Sequence, residues 1–287
     1  MKAFALFVAL IVSPMVGAGQ LQVITSVLPV LTIAELIGGD HVIVNTLWQS
    51  GQNPHFYELS PKKISALSRA ELYIKTGLPF EDVVQDRMRS VNSGMLIIDM
   101  SSEDEHPSRG SQSEHHHDHH HHHQAGYDPH VWTSPLRMKA LGREILDALI
   151  KLDPEHRDDF RKNHEAFSDR IDALDQEIRQ ILSQAPSRSF MVYHPAWGHF
   201  ATTYDLKQIA IEHEGKQPAP KQLATLIDQA KKDRIGVILV QPQMDDRLAR
   251  NVADMIGARV VIVDPLSPDY FASMLRLARE LSIDTAQ

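Results

Sequence analysis

Eight short apolar runs recur along the chain: Val23–Val27, Val42–Leu47, Leu72–Lys75, Met95–Ile98, Phe190–Tyr193, Ile209–Ile211, Gly236–Val240 and Val260–Val263. Most are near-continuous rather than alternating, the pattern of strands buried on both faces of a parallel sheet. Segments of helical period separate them, as in Ser60–Ala70 and Pro220–Lys232. Strand alternating with helix predicts an α/β fold. Four runs precede a histidine-rich stretch and four follow it, so two lobes are expected, each with a mostly parallel four-stranded sheet flanked by helices.

Between the two sets lies a long helical pattern, expected over residues 153–185. Asp153 suits the N-cap and Pro154 the first helical position. Phe160, His164, Phe167, Ile171, Leu174, Ile178 and Leu182 then recur at spacings of three and four until Ala185-Pro186. About 30 residues at 1.5 Å each give roughly 45 Å of helix, enough to brace both lobes. The expected organisation is a signal peptide at 1–18, a first lobe at 19–152, the linking helix at 153–185 and a second lobe at 186–287. Ligands of open α/β sheets bind beyond the carboxyl ends of the strands, which between two lobes is a cleft.

The stretch MKAFALFVALIVSPMVGAG carries one lysine, an apolar run from Ala3 to Val12, and small residues with Val16 and Ala18 in the −3 and −1 positions of a cleavage site. It has the features of a secretory signal peptide and is too short to span a bilayer. The expected location is the periplasm. The sequence contains no cysteine, so no disulfide framework, no metal thiolate and no lipid-bearing cysteine is expected. A net charge of −8 offers no basic excess for phosphates, which argues against nucleic acid as a partner. Apolar residues make up 43% of the chain, enough for a substantial core.

Residues 114–132 read EHHHDHHHHHQAGYDPHVW. Eight histidines (His115, His116, His117, His119, His120, His121, His122 and His123) fall within nine positions. The segment 101–124 has almost no apolar content and is expected to be mobile. Clustered imidazoles there can hold metal weakly and in many geometries. Four further residues sit on loops at strand ends or beside prolines: His55 in QNPHFY, His130 in DPHVW, His194 in VYHPAW and Asp264 in IVDPL.

The stretches GQNPHFYELSPKKISALSRAELYIKTGLPFE, DPHVWTSP, YHPAWGHFATTYDL, EHEGKQPAPKQLATLI and VDPL, in that order, resemble the cluster A-I solute-binding receptors of ABC metal importers, and among them the zinc-uptake (ZnuA-like) branch. The resemblance covers essentially the whole chain after the apolar leader. It implies two α/β lobes joined by one long backbone helix, with one metal in the cleft held by His55, His130, His194 and Asp264. Three neutral imidazoles and a carboxylate suit Zn²⁺. Gln241, in LVQPQ, offers a neutral amide where a carboxylate would favour a hard cation such as manganese.

The implied function is a monomeric periplasmic receptor that captures Zn²⁺ and delivers it to the membrane permease of an ABC importer. It is not an enzyme: no HExxH motif occurs, and four protein ligands leave no open position for a catalytic water. The alternatives are a manganese or iron receptor of the same family and a zinc storage or chaperone protein. His199 is read as a non-ligand, His41, His156, His164 and His213 as structural or surface residues, and Glu212 and Glu214 as part of a solvated loop rather than as partners of a ligand.

Overall fold

The computed structural model describes residues 19–47, 61–101, 128–212 and 215–283. Among the described residues eight strands form two sheets of four. In the first, β1 (Leu21–Thr25), β2 (Val42–Thr46), β3 (Leu72–Lys75) and β4 (Leu96–Asp99) lie in the order β2-β1-β3-β4. In the second, β5 (Ser189–Val192), β6 (Lys207–Ala210), β7 (Val237–Val240) and β8 (Arg259–Ile262) lie in the order β6-β5-β7-β8. Among the described residues every pairing is parallel, as expected. The order repeats from one lobe to the other. The inner strands β3 and β7 are buried at every position, as their unbroken apolar runs require. The edge strand β2 alternates, with Ile43 and Asn45 outward.

All eight expected strands are present, displaced by at most two residues at either end. The helices of the first lobe are α1 (Leu28–Gly38), α2 (Pro61–Leu67) and α3 (Phe80–Val91), followed by α4 (Pro135–Leu152). The second lobe carries α6 (Gly198–Thr203), α7 (Pro220–Lys232), α8 (Arg247–Ile256) and α9 (Tyr270–Ser282). Among the described residues no helix is long and apolar enough to cross a membrane.

The long helix, α5, runs Arg157–Leu182 without interruption. Its 26 residues reach roughly 39 Å at about 1.5 Å per residue. Its start differs from the sequence expectation. Pro154–His156 form a 3-10 turn, and the Asp153 carboxylate takes His156 Nδ1 at 2.6 Å instead of capping the helix. Phe160, Phe167, Ile171, Leu174, Ile178 and Leu182 are buried as one face. That face packs on α1 and α4 of the first lobe and on α9 of the second. The close approach of α4 needs Gly142, where a Cβ would lie 2.3 Å from the Phe167 ring. Arg170 lies 3.7 Å from the centre of the Phe271 ring on α9. One continuous apolar cluster therefore spans both lobes, from Val23 and Leu72 through α5 to Leu239 and Leu277.

Further bonds tie the lobes at the carboxyl ends of their strands. The indole Nε1 of Trp132 donates to the Pro265 carbonyl at 2.8 Å. Thr32 Oγ1 donates to the Pro268 carbonyl at 2.8 Å. Ser134 Oγ, which caps α4 by accepting from Arg137 N, meets Thr203 Oγ1 at 2.8 Å.

Candidate metal centre

In the first lobe, residues 128–130 lead into a 3-10 turn at Val131–Thr133 and then into α4. Pro129 limits the backbone between Asp128 and His130. The Asp128 carboxylate folds back over that proline, its Oδ1 accepting the His130 backbone N–H at 3.0 Å and lying 2.7 Å from the ring Nδ1. Thr133 Oγ1 donates to the His130 carbonyl at 2.9 Å. His130 is only 5% exposed. Burial pushes its imidazolium pKa below the ordinary value, against the opposing pull of Asp128. Burial alone would raise the Asp128 carboxyl, but its bonds to His130 and the nearby His130 and His199 rings leave it below the usual carboxylate range.

In the second lobe, His194 lies just past the end of β5. Its Nδ1 is 2.5 Å from Glu212 Oε1, and Glu212 lies just past the end of β6. The parallel register of β5 and β6 pairs Val192 with Ala210. The Ile211 and Glu212 amides then donate to the Val192 and Tyr193 carbonyls at 2.8 and 3.0 Å. This carries the carboxylate to the ring. Glu212 is 6% exposed, so the solvated-loop reading of this residue is overturned. Burial there requires a partner, and His194 is that partner. On the other side, Gln241 Nε2 donates to the His194 carbonyl at 3.1 Å.

The two rings meet across the lobes, with centroids 5.3 Å apart and planes at 76°. In both, Nδ1 faces a carboxylate. That contact fixes Nδ1 as the protonated nitrogen of a neutral ring and leaves the lone pair on Nε2, the arrangement that prepares a histidine to bind a metal.

Asp264 lies just past the end of β8. Its Oδ1 accepts the Leu266 N–H at 3.0 Å and Gln243 Nε2 at 3.4 Å. Its loop is held against the His130 segment through the Trp132–Pro265 bond. Among the described residues no three histidine or acidic side chains converge as a metal centre. The structure thus brings together His130 and His194 and puts Asp264 past the end of β8, two strands from β5 in the same sheet, with one carboxylate oxygen turned into its own loop. His55, the histidine run from His115 to His123, His213 and Glu214 lie outside the described residues.

His199 Nε2 donates to the Asp128 carbonyl at 2.7 Å. His41 and His156 stack at 3.9 Å and pair with Asp159 and Asp153 beside the start of α5, a structural arrangement. Asp128 was not singled out from the sequence. A carboxylate two residues before a candidate ligand histidine was its available signal.

A family model described as "Zinc-uptake complex component A periplasmic" matches residues 23–282. A crystal structure of ZnuA is similar at 33% identity and a TM-score of 0.80, covering 93% of this chain and 100% of that one. A ZnuA deletion mutant with zinc bound matches at 33% identity and a TM-score of 0.79, covering 92% and 97%. The zinc-binding protein AdcA of Streptococcus pyogenes serotype M3 is 28% identical over 290 residues, covering 93% of this chain and 56% of that protein. The chain thus spans about half the length of the curated AdcA relatives it matches. The second sheet, the long helix, both carboxylate-steadied histidines and all of the first sheet but the start of β1 fall inside the matched residues, and the chain belongs to the zinc-uptake complex component A (ZnuA) family of solute-binding receptors.

Proposed function

We propose that the protein captures Zn²⁺ in the cleft and hands it to the membrane permease of an ABC-type importer. The observation that carries this reading is the facing pair His130 and His194, one from each lobe, each with its Nδ1 held by a buried or half-buried carboxylate. Two neutral imidazoles steadied in this way are suited to a borderline cation such as zinc. The family description and the zinc-bound relative support zinc as the cargo. His55 and Asp264 complete the proposed four-ligand set. A set of three imidazoles and one carboxylate holds cargo and has no place for an activated water, so the chain acts as a receptor and not as an enzyme.

The same reading assigns residues 1–18 to a cleaved leader, the mature chain to the periplasm as a monomer, and 153–185 to the link between lobes 19–152 and 186–287. Nucleic acid is not a partner. The histidine run is an auxiliary collector: weak, fast-exchanging sites that keep zinc concentrated near the cleft.

Zinc titration of the wild-type protein, of His194→Ala and of a Glu114–His123 deletion tests the reading. The wild type binds one zinc tightly and a few weakly. His194→Ala loses the tight site by orders of magnitude in affinity. The deletion loses the weak sites and keeps the tight one. Loss of the tight site on the deletion overturns the receptor reading in favour of storage.

A further inference from the structure

One histidine in the cleft region has no part in the proposed ligand set, yet it links the two halves of that set. His199 is the second residue of α6, five positions after His194. Its Nε2 faces the Asp128 carbonyl at 2.7 Å. A carbonyl can only accept, so this nitrogen carries the proton. Asp128 in turn holds His130 by two contacts to its Oδ1. The chain of bonds runs from the second lobe, through His199 and Asp128, to the candidate ligand of the first lobe.

The neighbouring residue is fitted to the same contact. A Cβ at Gly198 would lie 2.3 Å from Asp128 Oδ2, so only glycine lets α6 approach the carboxylate this closely. One turn further on, Thr203 Oγ1 donates to the His199 carbonyl at 2.7 Å and meets Ser134 Oγ at 2.8 Å. The short helix that follows His194 is thus tied at two points to the segment that carries His130.

We propose that His199 is a positioning residue: its bond to the Asp128 carbonyl sets the spacing of His130 and His194 across the lobes before metal arrives. Ligands held in advance lose little freedom on binding, so the bond contributes to affinity without touching the metal. The proposal rests on the reading of His130 and His194 as zinc ligands.

The test compares wild type with His199→Phe, His199→Gln, Gly198→Ala and His130→Ala, using zinc affinity from chelator competition and the visible spectrum of the Co²⁺-loaded protein. Phenylalanine keeps the ring and removes the donor. Glutamine restores an N–H at similar reach. Loss of an outer partner of a metal ligand typically lowers affinity about 10- to 100-fold, and His199→Phe is expected in that range with altered Co²⁺ bands. His199→Gln recovers most of the affinity and the wild-type bands. Gly198→Ala weakens binding with His199 still in place, because the new methyl displaces the Asp128 carboxylate. Wild-type affinity in His199→Phe, alongside a weak His130→Ala, overturns the proposal. So does a His199→Gln variant as weak as His199→Phe, which would assign the effect to the ring and not to the bond. Should His199→Phe fail to fold, wild-type affinity in Gly198→Ala is the overturning result. Wild-type affinity in His130→Ala would instead overturn the metal-site reading beneath the proposal.

Discussion

His130 and His194 are steadied by the same chemistry, a carboxylate on Nδ1, but the carboxylates come from different distances. Asp128 is two residues from His130, across a proline. Glu212 is 18 residues from His194 and arrives only because β5 and β6 pair in parallel register. The first clamp is a property of a turn. The second is a property of a sheet. A disturbance of the turn should therefore stay within it and its contact with α6, whereas a disturbance of the sheet's carboxyl end should reach the site from several residues away.

Removing the clamps gives the largest contrast. Asp128→Ala and Glu212→Ala are each expected to lower zinc affinity about 10- to 100-fold, measured by chelator competition. They should differ in reach. In Glu212→Ala, amide exchange should quicken along β5 and β6 as well as at His194. In Asp128→Ala it should quicken over residues 128–134 and the adjoining start of α6, and not along β5 and β6. Equal reach in the two variants would break the comparison.

A smaller effect separates fold from site. Gly142→Ala forces a methyl against the Phe167 ring between α4 and α5. Overpacking of this kind costs about 1–3 kcal/mol, so denaturant unfolding should shift while zinc affinity stays at the wild-type value. A large loss of affinity would show that the clamps depend on the helical layer more than their bonds imply.

The smallest effect concerns the His130 proton. Burial lowers its pKa and Asp128 raises it. In the apo protein His130 should titrate below about 6.5, the ordinary value, as followed by NMR. Asp128→Asn removes the group that favours the charged ring, so the titration should move further down. Because the folded-state pKa is lowered, the folded chain binds fewer protons at this ring than the unfolded chain as pH falls below the ordinary value. This ring's contribution to stability is therefore lost on acidification through that window. An upward move in Asp128→Asn would show that Asp128 does not favour the charged ring.

The two clamps also mark what the sequence made legible. The eight strands and the buried face of α5 could be read because apolar periodicity survives any topology. Their ends shifted by a residue or two where a cap or turn decided, as at Asp153, whose carboxylate turned to His156. His130, His194 and Asp264 were identifiable as candidates from their loops. Asp128 was hidden because Asp-Pro-His reads as a plain rigid turn. Glu212 was misjudged because Glu-His-Glu-Gly reads as solvated loop, and only the β5–β6 register reveals its partner. The distance between His130 and His194 belongs to the lobe interface, which no local pattern encodes.

The helix α5 carries no candidate ligand, yet it governs how the molecule would come apart. Its buried face is shared by α1 and α4 on one side and α9 on the other. Neither lobe can melt without exposing apolar surface that belongs to both. Heating should give one cooperative transition and not two. Zinc that binds only the folded cleft would then raise that single melting temperature with concentration, so a calorimeter watching the whole chain would in effect be reading the occupancy of one small site.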